Sequence, residues 1–161
     1  MDAPARTGRS APEGSLPRAR IAGLSGLEQL RGMLTGELPA PPFARVMRMA
    51  LAHVEPGRVV FKGVPDFAFL NPLGTVHGGW ISTLLDSAMG CAVHSLLQSG
   101  QGYTTTSLIV HFTRALPPGE AALRCEAVAV HAGRRLMTAE GRLLDPEGRL
   151  VAHGTEACMV L

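Results

Sequence analysis

The sequence predicts an α+β fold in which one antiparallel sheet covers a single long helix. Three observations lead there. Gly79 to Gln98 carries Ile81, Leu84, Leu85, Ala88, Met89, Ala92 and Leu96 on one helical face. Two strand-like segments precede that helix, and three or four follow it. Helix and strands are therefore segregated along the chain, which favours an antiparallel sheet over a parallel one. At 161 residues the chain fits one domain, and its 46% hydrophobic content can fill a core. Aromatics make up only 4%, so aliphatic side chains and alanine must supply most of the packing.

The elements follow in order. Residues 1–20 are rich in Ala, Pro, Gly, Ser and Arg and read as a disordered tail, leaving 21–161 as the domain. Ile21 to Leu34 repeats leucine at helical spacing (Leu24, Leu27, Leu30, Leu34), and Ser25 can help start this N-terminal helical extension. Gly36 and Pro39 to Pro42 break it. Phe43 to Met49 suits one more helical turn. Ala50 to Glu55 and Arg58 to Phe67 read as a hairpin closed by Pro56-Gly57. A loop spans Leu70 to Val76. After the long helix, Ser99 to Gly102 acts as its stop. Thr104 to Arg114, Ala121 to Val130, Arg134 to Leu144 and Arg149 to Leu161 then read as strands. Pro117-Pro118-Gly119 and Asp145-Pro146-Glu147-Gly148 carry the residues that tight turns require.

Composition excludes several classes. The net charge is +2, and 14 of the 15 basic residues are arginine, scattered rather than striped. Nucleic-acid binding is not expected. Cys91, Cys125 and Cys158 are odd in number and widely spaced, so reduced thiols are expected rather than disulfides. His94, His111, His131 and His153 show no metal-binding spacing and are expected to face solvent; no metal site is expected. No apolar run suits a signal peptide or a membrane span, so a cytoplasmic location is expected. Ser82, Ser87 and Ser95 lack a nucleophile elbow.

One constellation carries chemistry. Between Phe67 and Thr113, Asp86 is the only residue charged at pH 7, apart from histidine. It lies midway along the most apolar helix, with no Lys or Arg within a turn. Aspartate is a poor helix-interior residue, and an unpaired buried charge is costly. Asp86 could instead lie on a solvated flank or bind the Thr83 or Ser87 hydroxyl. Partial desolvation would fit it for general-base work. His77-Gly78-Gly79 stands just before the helix, where free N–H groups attract negative charge and glycine admits a ligand. Such an end can form an oxyanion hole, or Gly78-Gly79 can simply make a tight turn. Gly78 and Asp86 are more than about 10 Å apart along one helix at ~1.5 Å per residue. Two antiparallel copies could bring them to one carbonyl, which predicts a site shared across a homodimer.

Asn71-Pro72-Leu73-Gly74-Thr75-Val76-His77-Gly78-Gly79, followed by Leu84-Leu85-Asp86, resembles the hotdog-fold acyl-CoA thioesterases of the phenylacetate-pathway (PaaI-like) type. Arg114 to Pro117, Gly133 to Arg135 and Asp145 to Ala152 add to the likeness, which covers the chain from about Pro39 onward. The resemblance implies a sheet wrapped round one helix. It also implies a dimer joined edge to edge, often doubled to a tetramer. It implies that Gly78 donates to the thioester carbonyl, with Asn71 and His77 shaping that side. Asp86 of the partner would activate water or attack directly. Thr105 would hold the water, with Thr104 and Thr106 as rivals. A neighbouring branch has Glu as the carboxylate and Thr one turn later; here that later position is Gly90. Gly79, Arg114, Arg134 and Arg135 are candidates to meet the substrate, the arginines through the phosphates of CoA. The arginines could equally be solvent-exposed strand ends. No cofactor is implied, since CoA is part of the substrate.

The implied reaction is hydrolysis of an acyl-CoA to a carboxylic acid and free CoA. A non-catalytic acyl-CoA binder on the same scaffold is the alternative; a lone carboxylate beside a thioester argues against it. A hotdog hydratase fits the HGG…D spacing poorly. Phe67, Phe69, Trp80 and Met89 are candidates to line the acyl pocket.

Overall fold

In the computed structural model, which describes residues 18–119 and 121–161, a six-stranded antiparallel sheet packs against one long helix. The strands are β1 (Met49–Glu55), β2 (Arg58–Gly63), β3 (Tyr103–Phe112), β4 (Leu123–Ala132), β5 (Leu136–Leu144) and β6 (Leu150–Val160). Their order across the sheet is β1-β2-β4-β5-β6-β3, so β3 crosses over to the far edge. The expected tail falls outside the described residues as far as residue 17. Helix α1 (Arg18–Ile21) is a single turn at the boundary expected between tail and domain.

The N-terminal extension is shorter than its leucine pattern suggests. Helix α2 (Gly26–Thr35) starts at Ser25, whose hydroxyl accepts from the Glu28 N–H while Glu28 Oε2 accepts from the Ser25 N–H at 2.7 Å. This reciprocal cap fixes the start. Gly36, at φ 81°, ends it. Helix α3 (Pro42–Val46) has proline in its first turn, where no intrahelical donor is lost.

Helix α4 (Gly78–His94) buries Trp80, Ile81, Leu84, Leu85, Ala88, Met89, Ala92 and Val93 against the sheet. Each large apolar side chain so buried contributes about 1.5–3 kcal/mol. The helix is thereby held in one rotation, and its polar side chains are held with it. Two expected boundaries move. The helix ends at His94 rather than Gln98, because Ser95 Oγ donates to Ala92 O and accepts from the Gly57 N–H, drawing the chain into the β1–β2 turn. Strand β2 stops at Gly63 rather than Phe67, because Pro65 follows and Phe67–Phe69 forms a 3-10 turn.

Among the described residues, strand β3 pairs with β6 on one side only. Its other edge is open, and Ile109 and Phe112 on it are more than half exposed. A bulge between Thr105 and Ser107 shifts the register. Thr105 lies opposite Cys158 and, although exposed on this edge strand, donates its hydroxyl to Glu156, while Thr106 turns its hydroxyl to Ala157 O.

Candidate active site

The site has two halves, one at each end of the β3–α4 contact. The first is the start of α4. Asn71 closes the preceding loop: Oδ1 accepts from the N–H groups of Leu73 and Thr75, and Nδ2 donates to Thr75 Oγ1 at 2.8 Å. Its side chain is spent on shaping the turn. His77 caps the helix, its Nδ1 accepting from the Gly79 N–H at 2.8 Å, so the ring proton sits on Nε2. The N–H groups of Trp80 and Ile81 go to His77 O. Among the described residues the Gly78 N–H has no acceptor. It is the one donor left free at the positive end of the helix. A Cβ at Gly78 would come within 3.1 Å of the Phe112 ring, so the glycine also sets how closely β3 approaches. An open cavity of about 280 Å³ lies here, lined by Gly78, Ile81, Phe112, Arg114 and Leu116.

The second half is the middle of α4. Asp86 is half-buried and makes no hydrogen bond or ion pair among the described residues. Thr83, one rival partner, donates instead to Gly79 O at 2.9 Å. Burial pushes the Asp86 carboxyl above the usual range. One turn on, Gly90 makes room for another element: a Cβ there would lie 2.4 Å from the Tyr103 hydroxyl. Burial also pushes the Tyr103 phenol up.

Facing this half is a carboxyl that the local sequence reading missed. Glu156 on β6 is only 2% exposed. Its Oε1 accepts from Thr105 Oγ1 at 2.7 Å and from Cys158 Sγ at 3.2 Å. Its Oε2 is buried without a partner among the described residues. Burial raises its pKa and the nearby Asp86 charge adds to this, while the Thr105 and Cys158 hydrogen bonds oppose it. Burial also raises the Cys158 thiol, to about 12. A signal was present: Gly154, Glu156 and Cys158 alternate on the buried face of β6 with exposed His153, Thr155 and Met159. Of the three threonines, Thr105 is the one whose hydroxyl faces this cluster.

Other expectations are redistributed. His94 does not face solvent: it is partly buried beside Gln29 and Tyr103, and burial lowers its pKa. Trp80 and Met89 belong to the core, and Phe67 is 84% exposed. Trp80 Nε1 donates to Met47 O at 2.9 Å, and Phe69 stacks on its ring. The arginines separate. Arg114 lies just past the Phe112 end of β3. Arg134 and Arg135 lie at the other end, since Arg135 O accepts from Val160, which pairs with Tyr103. A ten-residue strand is about 33 Å long at ~3.3 Å per residue, so one chain cannot close all three on one ligand. The cysteines form no disulfide. No cluster of metal-ligating side chains occurs among the described residues, and no helix there is long and apolar enough to cross a membrane.

Comparison with known proteins gives a consistent picture. The family model described as the Thioesterase superfamily matches residues 73–152. A phenylacetic acid degradation-related protein from Ralstonia eutropha is 32% identical, with a TM-score of 0.75 over 81% of this chain and 98% of that one. A mutant of the phenylacetic acid degradation protein PaaI from Thermus thermophilus is 30% identical, with a TM-score of 0.67 over 73% of this chain and 97% of that one. A thioesterase family protein from Silicibacter pomeroyi is 27% identical, with a TM-score of 0.73 over 85% of this chain and 98% of that one. No curated protein matches.

Proposed function

Since the chain belongs to the thioesterase superfamily, among its PaaI-like members with the hotdog fold, we propose that it hydrolyses acyl-CoA thioesters in sites shared between two copies. The observation that carries this is the pairing, on the same helix, of a half-buried Asp86 and a Gly78 N–H that both lack partners among the described residues, too far apart for one reaction centre. Two β3 strands joined antiparallel by their open edges about the strand midpoint would bring Asp86 and Thr105 of one copy toward Gly78 and Phe112 of the other. The same pairing brings the Arg134–Arg135 end of one copy toward Arg114 of its partner. That gathers cations for the phosphates of CoA. The open apolar edge supports such pairing, because exposed strand edges are rarely left uncovered.

In the proposed reaction the thioester oxygen accepts from Gly78, where the tetrahedral intermediate's charge is stabilised. Asp86 takes a proton from water as the water oxygen attacks the acyl carbon. Collapse breaks the carbon–sulfur bond, and the leaving thiolate takes up the proton held on Asp86, which gives CoA and restores the carboxylate. The products are a carboxylic acid and CoA. Direct attack by the carboxylate is the competing route; label in Asp86 after single turnover in heavy-oxygen water would establish it, because solvent oxygen enters Asp86 only when water opens an acyl-enzyme anhydride at the Asp86 carboxyl carbon.

The test is thiol release from a panel of aliphatic and aryl acyl-CoAs, for wild type and Asp86→Asn. Turnover by the wild type and its loss in a folded Asp86→Asn dimer support the proposal. Saturable acyl-CoA binding with no thiol release would make the protein a binder instead.

A further inference from the structure

We propose that Glu156 is a positioning residue for hydrolysis, one that makes the Thr105 hydroxyl an acceptor for the attacking water. This rests on the proposed reading of Asp86 as a base toward water. Glu156 is a fully buried carboxyl with no cation beside it among the described residues, an arrangement that costs stability and calls for a reason. Its one visible task is directional. A threonine hydroxyl has a single proton and two lone pairs, and its rotor is otherwise free. With that proton committed to Glu156 Oε1 at 2.7 Å, only lone pairs remain on Thr105 Oγ1. A water between Thr105 and Asp86 must then donate one proton to each. Both of its protons are occupied, and a lone pair is left for the acyl carbon. Without Glu156 the hydroxyl could donate to that water and tie up the electrons the attack requires.

The rest of the cluster serves the same geometry. Cys158 donates to the same Oε1, so that oxygen is saturated and the Thr105 contact is held in one orientation. The bulge after Thr105 turns Thr106 away to Ala157 O, so no neighbouring hydroxyl competes for Glu156. Glu156 itself is too enclosed to reach a substrate, which makes it a positioning residue rather than a catalytic one.

Steady-state thiol release from the full chain tests this. Thr105→Val removes the hydroxyl and is expected to lower kcat by about tenfold or more with KM little changed; Thr105→Ser keeps most activity. Glu156→Gln is expected to lower kcat similarly at unchanged KM, because an amide can donate to Thr105 as well as accept. The double variant is expected to be no worse than Thr105→Val alone, since Glu156 acts only through that hydroxyl. Should Glu156→Gln fail to fold, Glu156→Met removes the acceptor at similar size without a buried polar group. Multiplying losses in the double variant, or wild-type kcat in a folded Glu156 variant, would overturn the proposal while leaving the Asp86 reading intact. A wild type that releases no thiol would overturn both.

Discussion

Two buried acidic sites in this molecule have opposite surroundings. Asp145, in the β5–β6 turn, is 6% exposed, yet each of its oxygens is occupied. Oδ1 accepts from the N–H groups of Glu147 and Arg149, and Oδ2 from Arg149 Nε at 2.7 Å. Burial pushes this carboxyl up, but the Arg149 hydrogen bonds and charge outweigh it and hold the group below the usual range. Among the described residues Asp86 has no partner, and the facing Glu156 has hydrogen bonds on one oxygen only; both are pushed up. A satisfied carboxylate closes a turn. An unsatisfied one leaves proton affinity available for chemistry.

The comparison can be broken most directly at Asp86. Asp86→Asn should lower kcat by about 10²–10⁴-fold, the usual worth of a positioned base. Its Tm should be equal or higher, because the buried carboxyl is removed; a large drop in Tm would make Asp86 a structural residue like Asp145. Next in size is Gly78→Pro. Proline is tolerated at the first helical position, and His77 at φ −64° and ψ 136° suits a residue before proline. The change deletes the free N–H, at the expense of a small shift of the Phe112 ring. A loss of about 10²–10³ in kcat is expected. Equimolar subunit exchange between Asp86→Asn and Gly78→Pro should restore about a quarter of wild-type activity. Half of the dimers are then mixed, each with one intact shared site. No restoration would put both groups in one chain's site.

The pH response sharpens the contrast by sign. Asp86 must be ionised to act, and its raised pKa places the acid limb of kcat/KM above the ordinary carboxylate range. Activity should fall about tenfold per pH unit below that limb. For stability, a raised folded-state pKa means that ionising Asp86 costs stability as pH rises above the unfolded value. The lowered pKa of Asp145 means the reverse: its contribution is present above the unfolded value and is lost as pH falls through the folded one. Asp145→Ala should therefore lower Tm by several degrees at neutral pH, leaving kcat unchanged at a temperature where the variant is folded. It should lose little further stability on acidification. The smallest expected effect is Gly90→Ala, where the new methyl meets the Tyr103 hydroxyl. Denaturant unfolding should show a loss of about 1–3 kcal/mol, the usual cost of overpacking.

What the sequence alone determined was local. The apolar stripe of α4, the Ser25 cap, the Gly-Gly helix start and the Asp-Pro-Glu-Gly turn each depend on neighbours a few residues away, and all were legible. Asp86 stood out for the same reason, as a charge with no counter-ion within a turn. The helix stop was misplaced because Ser95 answers to Gly57, 38 residues distant, and not to the glycines that follow it. Glu156 went unnoticed because its meaning comes from Thr105, 51 residues earlier. Only the crossover that lays β3 beside β6 makes them neighbours. Packing likewise decided which threonine hydroxyl meets Glu156, since a one-residue bulge inverts every side chain beyond it. Pattern along a chain reports what each residue can do. Which partners it finds is fixed by burial, and burial is a property of the whole fold.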